Sequence, residues 1–225
     1  MAVTSPLSAR ATVAALLALT VVTGLVDAVS YLRLGHVFVA NMTGNVVFLG
    51  FSLAPGSGLS AVASLIAIAG FVLGAFAGGR VAHTLAGVRP GWPGFAFIAE
   101  AVVLGLTAVL TGTGVLPFTG NGSFATIAVL AAALGVQNST VRHLGAPDLT
   151  TTVLTLTLTG LAADSALAGG PGAKPHRRLG SIAAMLAGAA AGAGLLHWSS
   201  TAVIAIAAVV VAFVGGAFLA AGRGA

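Results

Sequence analysis

Residues 24–50 read GLVDAVSYLRLGHVFVANMTGNVVFLG, and residues 135–161 read GVQNSTVRHLGAPDLTTTVLTLTLTGL. Each stretch opens Gly-x-x-Asp or Gly-x-x-Asn, passes an Arg and a Leu-Gly pair, and runs into a segment rich in Asn or Thr. Gly24 and Gly135 stand 111 positions apart, close to half of the 225-residue chain. The spacing predicts a duplicated architecture whose two halves, about 11–116 and 122–222, share one membrane domain over 1–225. Polar side chains are expected at its centre.

Composition fixes the surroundings of these stretches. Apolar residues make up 58% of the chain and charged residues only 6%, against roughly 25% charged in soluble domains. Mean hydropathy is +1.09. An all-α integral membrane protein of the cell membrane is expected, with the lipid bilayer as its first partner. The 32 glycines fit helices that cross closely through small residues. With no cysteine, disulfides and thiolate metal sites are excluded. Nine cations against four acids account for the high isoelectric point as basic membrane loops and not as a nucleic-acid surface.

Six apolar segments, at 11–32, 59–79, 94–116, 122–141, 179–196 and 201–222, approach or exceed the ~20 residues that cross a hydrocarbon layer of ~30 Å. Two more polar segments, 37–53 and 149–168, occupy matching places in the halves. If all eight crossed, five cations would face four across the bilayer. If the polar segments enter and leave on one face, eight cations gather on one side and Arg33 stands alone on the other. The second arrangement obeys the positive-inside rule. It predicts six transmembrane helices plus two short or re-entrant segments, cytoplasmic termini, and halves related as an inverted repeat. The apolar run after Arg10 is read as a retained first helix, because it is long and carries the first motif. Small-residue stripes at Gly70, Gly74 and Gly78, and at Gly180, Ala184, Gly188 and Gly192, predict close helix crossings.

An ionisable side chain within the bilayer costs roughly 2.5–3.5 kcal/mol and normally faces a partner or a cavity. Asp27 lies inside the first span, and its counterpart in the second half is Asn138, preceded by Gln137. Asn41 and Asn45 share one helical face, with Thr43 beside it and Gly44 leaving the backbone approachable. A half-helix beginning there would direct backbone N–H groups into a cavity. The second half offers Thr151, Thr152 and Thr155 in the corresponding place. These nine residues are the candidate solute-binding set; the competing reading makes the same groups interhelical ties. Glu100, Arg33 and Arg142 are candidate proton or charge partners, with snorkelling to headgroups the alternative for the arginines. The histidines flank spans without metal-ligand spacing. No nucleophile with a base, metal triad or phosphate-cradling loop is visible, so no enzyme, metal or cofactor is expected.

The strings Asp27-Ala28, His36 to Asn45, Gln137-Asn138 and Asp148 to Thr155 resemble the bacterial YoaK family of multi-pass membrane proteins, over nearly the whole chain. That resemblance implies about six spans and brings no assigned biochemical activity. The residues themselves favour a small transporter or facilitator of a small polar solute, against a non-transporting accessory or structural protein. A second copy of the chain is a further candidate partner.

Overall fold

The computed structural model of the protein describes residues 5–145, 154–170 and 175–224. These residues form helices and connecting turns, with no strand among them. Six helices are long and apolar enough to cross a membrane: α1 (Ala9–Arg33), α3 (Ala61–Leu85), α4 (Trp92–Gly112), α5 (Ser123–His143), α7 (Pro175–Leu195) and α8 (Ser200–Gly222). The two short helices are α2 (Met42–Phe51) and α6 (Leu154–Ala163), each of 10 residues. At 1.5 Å per residue either is only about 15 Å long. Neither can cross a ~30 Å layer.

Glycine crossings fix the direction of each span. In α3, Gly70 abuts the backbone of Ala128 in α5, Gly74 that of Ala132, and Gly78 that of Val136. Contacts that advance together mean that α3 and α5 run parallel. Likewise Gly188 of α7 lies on Val21 of α1 and Gly192 on Leu25, so α1 and α7 are parallel. Gly91, just before α4, and Gly94 and Gly112 within it face Gly222, Gly215 with Leu219, and Thr201 respectively. There the order reverses, and α4 is antiparallel to α8.

Short connections make α3–α4 and α7–α8 antiparallel hairpins. From α1 through α7, α8 and α4 to α3, it follows that α1 and α3 point in opposite directions. The connection carrying α2 therefore begins and ends on one face, and the same argument applies to α6 between α5 and α7. Both described ends of the chain share a face. Arg10, Arg80, Arg89, Arg142, Arg177, Arg178 and Arg223 lie at helix ends on that face, and Arg33 lies on the other.

Packing is built on α1, which is buried along most of its length, and on α5. Leu16, Leu19, Val22, Leu130, Leu134 and Phe218 are almost wholly enclosed, and Phe97 of α4 meets Phe218 of α8 at a ring separation of 5.5 Å. The outward surfaces are apolar too: Phe76 is 69% exposed and Phe213 77%. A layer of lipid tails is the medium in which such faces are stable.

Candidate functional site

The site begins where α1 ends. Gly35 and His36 both adopt left-handed backbone, with φ of 97° and 58°, and reverse the chain. The following residues run back along α1 until the backbone N–H groups of Val39 and Ala40 each donate to Asp27 Oδ1 at 2.9 Å. Asp27 is six residues before the end of α1, about 9 Å inside it. A buried carboxylate needs donors, and this re-entering backbone supplies two.

Asn45 completes the hairpin. Its Oδ1 accepts from Phe38 N–H at 2.9 Å and its Nδ2 donates to Phe38 O at 2.6 Å, so one fully buried amide satisfies both backbone polar groups of a single residue. Asn41 caps α2, its Oδ1 accepting from Gly44 N–H at 3.4 Å. Gly44 is needed here, since a Cβ would stand 2.7 Å from the Phe38 ring. From that start α2 returns toward the end of α1. Phe48 stacks on Phe38 at 5.6 Å, and Phe38 on Tyr31 at 5.1 Å.

Between this hairpin and α7 lies a cavity of about 870 Å³. Asp27, Asn41, Thr43 and Thr155 line it together, beside Gly24, Gly44, the aromatic rings of Tyr31, Phe38 and Phe48, and Met185, Ala189 and Ala193 of α7. Thus four of the nine candidate solute-binding residues meet, and both short helices contribute. Among the described residues lining it, Asp27 is the one with an ionisable acid or base of formal charge. Its Oδ1 is engaged by the hairpin, whereas Oδ2 makes no hydrogen bond among the described residues.

The other candidates sit elsewhere. Asn45 faces the hairpin backbone, as above. Gln137 is buried in α5, where Nε2 donates to Thr23 Oγ1 at 3.0 Å and ties α5 to α1. Asn138 Nδ2 donates to Leu134 O at 2.9 Å. Thr151 and Thr152 lie outside the described residues. Arg33 donates to Leu196 O at 3.0 Å, past the last turn of α7, where a cation satisfies carbonyls that helix ends leave open. Arg142 is exposed at the end of α5. Glu100 is 2% exposed in α4 and neither carboxylate oxygen has a partner among the described residues. Gln137 Oε1 is likewise buried and has no partner among the described residues.

Reading polar residues alone missed the aromatic wall and the contribution of α7. Tyr31 follows Asp27 by four positions, which sets both on one face of α1. The Gly and Ala stripe of α7 was visible as a packing surface, and Gly188 and Gly192 do pack on α1; the cavity is lined by the neighbouring row Met185, Ala189 and Ala193, which the stripe did not announce.

The family described as "Protein of unknown function (DUF1275)" matches residues 15–218. The chain is also 34% identical over 163 residues to the UPF0700 transmembrane protein YoaK of Bacillus subtilis (strain 168), a match spanning 69% of this chain and 67% of that protein. No solved structure matches the chain.

Proposed function

Starting from a chain that belongs to the DUF1275 family and is a membrane protein, we propose that it is a small transporter or facilitator, not an enzyme, whose solute site is the cavity beside Asp27. The observation that carries this reading is convergence. Polar groups from both short helices, Asn41 and Thr43 on one side and Thr155 on the other, meet an intramembrane acid in a space of about 870 Å³. Intramembrane acids are functional by default, and solute sites in transporters lie where interrupted helices meet.

The matched crossings support a duplicated, inverted origin. Residues 21 and 25 of α1 hold the places in one crossing that residues 132 and 136 of α5 hold in the other, again 111 positions apart, and Gly188 and Gly192 answer Gly74 and Gly78. Seven described cations on the face of both chain ends, against Arg33 opposite, favour cytoplasmic termini. Glu100 is the second acid available to carry a proton.

Specific hydrogen bonds favour the competing reading of a non-transporting membrane component. Asp27 Oδ1, Asn45 and Gln137 each tie one segment to another. The two readings separate in proteoliposomes. We expect solute flux with the wild-type chain and at least a tenfold loss in both Asp27→Asn and Thr43→Val at equal folded yield. Equal flux in wild type and both variants, or none across a broad solute panel, would leave the structural reading standing.

A further inference from the structure

The cavity wall carries more chemistry than its hydroxyls and amides. Tyr31, Phe38 and Phe48 form a continuous aromatic surface, with centroid separations of 5.1 Å, 5.6 Å and 5.9 Å between the three pairs. Leu32, Val47 and Met185 extend it with apolar groups. Against this wall stands a carboxylate that is 8% exposed, with one oxygen held by backbone N–H groups and the other open to the cavity. No Lys, Arg or His is among the described residues lining the space. Arg33 is turned to the α7 carbonyl.

This combination selects a ligand by charge and by surface. At the start of α2 Asn41 Oδ1 already accepts from Gly44 N–H, and the Asp27 carboxylate is bound to the residues that lead into it, so the partial positive helix end does not call for an added anion. A sugar-like solute, whose many hydroxyls each need a partner, would find few polar side chains in a lining that is mostly apolar. Aromatic faces attract cations, by about 0.5–2 kcal/mol for each well-placed ring, and a desolvated carboxylate does so more strongly. We infer that the cavity beside Asp27 takes a small organic cation with an apolar body, of the class of aryl or alkyl amines and quaternary ammonium ions. The inference rests on the reading of this cavity as a solute site and narrows it from polar solutes in general.

The test uses three probes of one shape: phenyltrimethylammonium, the neutral isostere tert-butylbenzene and the anion benzenesulfonate. Binding to the full chain in lipid nanodiscs is compared with empty nanodiscs. The cation should bind at least tenfold more tightly than the sulfonate, and the neutral isostere should compete only weakly. Asp27→Asn retains Oδ1 for Val39 and Ala40 and replaces only the cavity-facing oxygen with an amide; it should cut cation affinity at least tenfold while leaving tert-butylbenzene unchanged. Phe48→Leu, which leaves Asp27 untouched, should weaken the cation several-fold and guards against misfolding of the first variant. Equal or tighter sulfonate binding, no cation binding to folded protein, or cation binding indifferent to both variants overturns the inference. Flux of an uncharged polar solute without cation binding would sink this inference and spare the transport reading, whereas cation binding without flux would do the reverse.

Discussion

Asp27 and Asn45 illustrate how a membrane interior treats polar side chains. Each satisfies backbone groups that no helix or sheet can reach, because residues 34–41 are neither. Asn45→Ala would strip both groups of Phe38 of their partners, and unmet buried hydrogen bonds cost about 1–3 kcal/mol apiece. Its unfolding temperature in detergent, followed by size-exclusion chromatography, should fall well below wild type. Asp27→Asn should fall far less than Asp27→Ala, since only the latter removes the acceptor of two N–H groups. Glu100 is the opposite case. With neither oxygen partnered among the described residues, it is a net cost to the fold, so Glu100→Met, an apolar chain of similar length, should raise the unfolding temperature. A gain in stability accompanied by loss of flux would mark Glu100 as functional; a fall in unfolding temperature would mean that a partner holds it. The importance of Asp27 was legible from its position in an apolar run. What it holds was not, because the spacing of 12 and 13 residues to Val39 and Ala40 depends on a reversal at Gly35 and His36 that no periodicity announces.

The long helices were the easiest elements to read, since twenty apolar residues have few other fates in a membrane protein. The expected 11–32 and 201–222 correspond to Ala9–Arg33 and Ser200–Gly222. The span expected at 59–79 runs instead from Ala61 to Leu85, because Arg80 and His83 reach the interface and end the apolar run before they end the helix. The segment expected at 37–53 holds a shorter helix, Met42–Phe51. Its first five residues are not helical and bend at Val39 and Ala40, since Asp27 and Asn45 bind their backbone. Small-residue stripes were visible in the sequence, but their partners were not, because a stripe looks the same whichever helix it meets. Gly74→Ala and Gly188→Ala should each destabilise by about 1–3 kcal/mol through overpacking against a neighbouring backbone. Gly105→Ala, where nothing lies within 4 Å of an added Cβ, should be neutral or slightly stabilising. Thermal unfolding of the three variants in one detergent checks the contrast.

For the whole molecule, span direction and loop charge agree on where each connection lies. In a chain without cysteine, single thiols report this cleanly. Ser57→Cys in intact cells should react with a membrane-impermeant maleimide, and Ala168→Cys only after lysis. Equal reactivity of both before lysis would overturn the assignment of α2 and α6 as non-crossing. The sequence predicted this arrangement from the sorting of its nine cations, eight against Arg33, whereas helix pairing required the structure: α1 packs on α7, α3 on α5 and α4 on α8. Each pair takes one member from each half of the chain. A chain cut within residues 113–122 and co-expressed as two pieces should therefore assemble, while neither piece alone should survive extraction in detergent. The same interleaving sets the kinematics. Where backbone touches backbone at Gly74 and Gly188, there is no soft side-chain layer to shear, so each pair behaves as a single stiff beam. Any relative displacement would then be confined to the seams between three beams and to the hairpin that Asp27 anchors, because the sequence halves are not separate bodies.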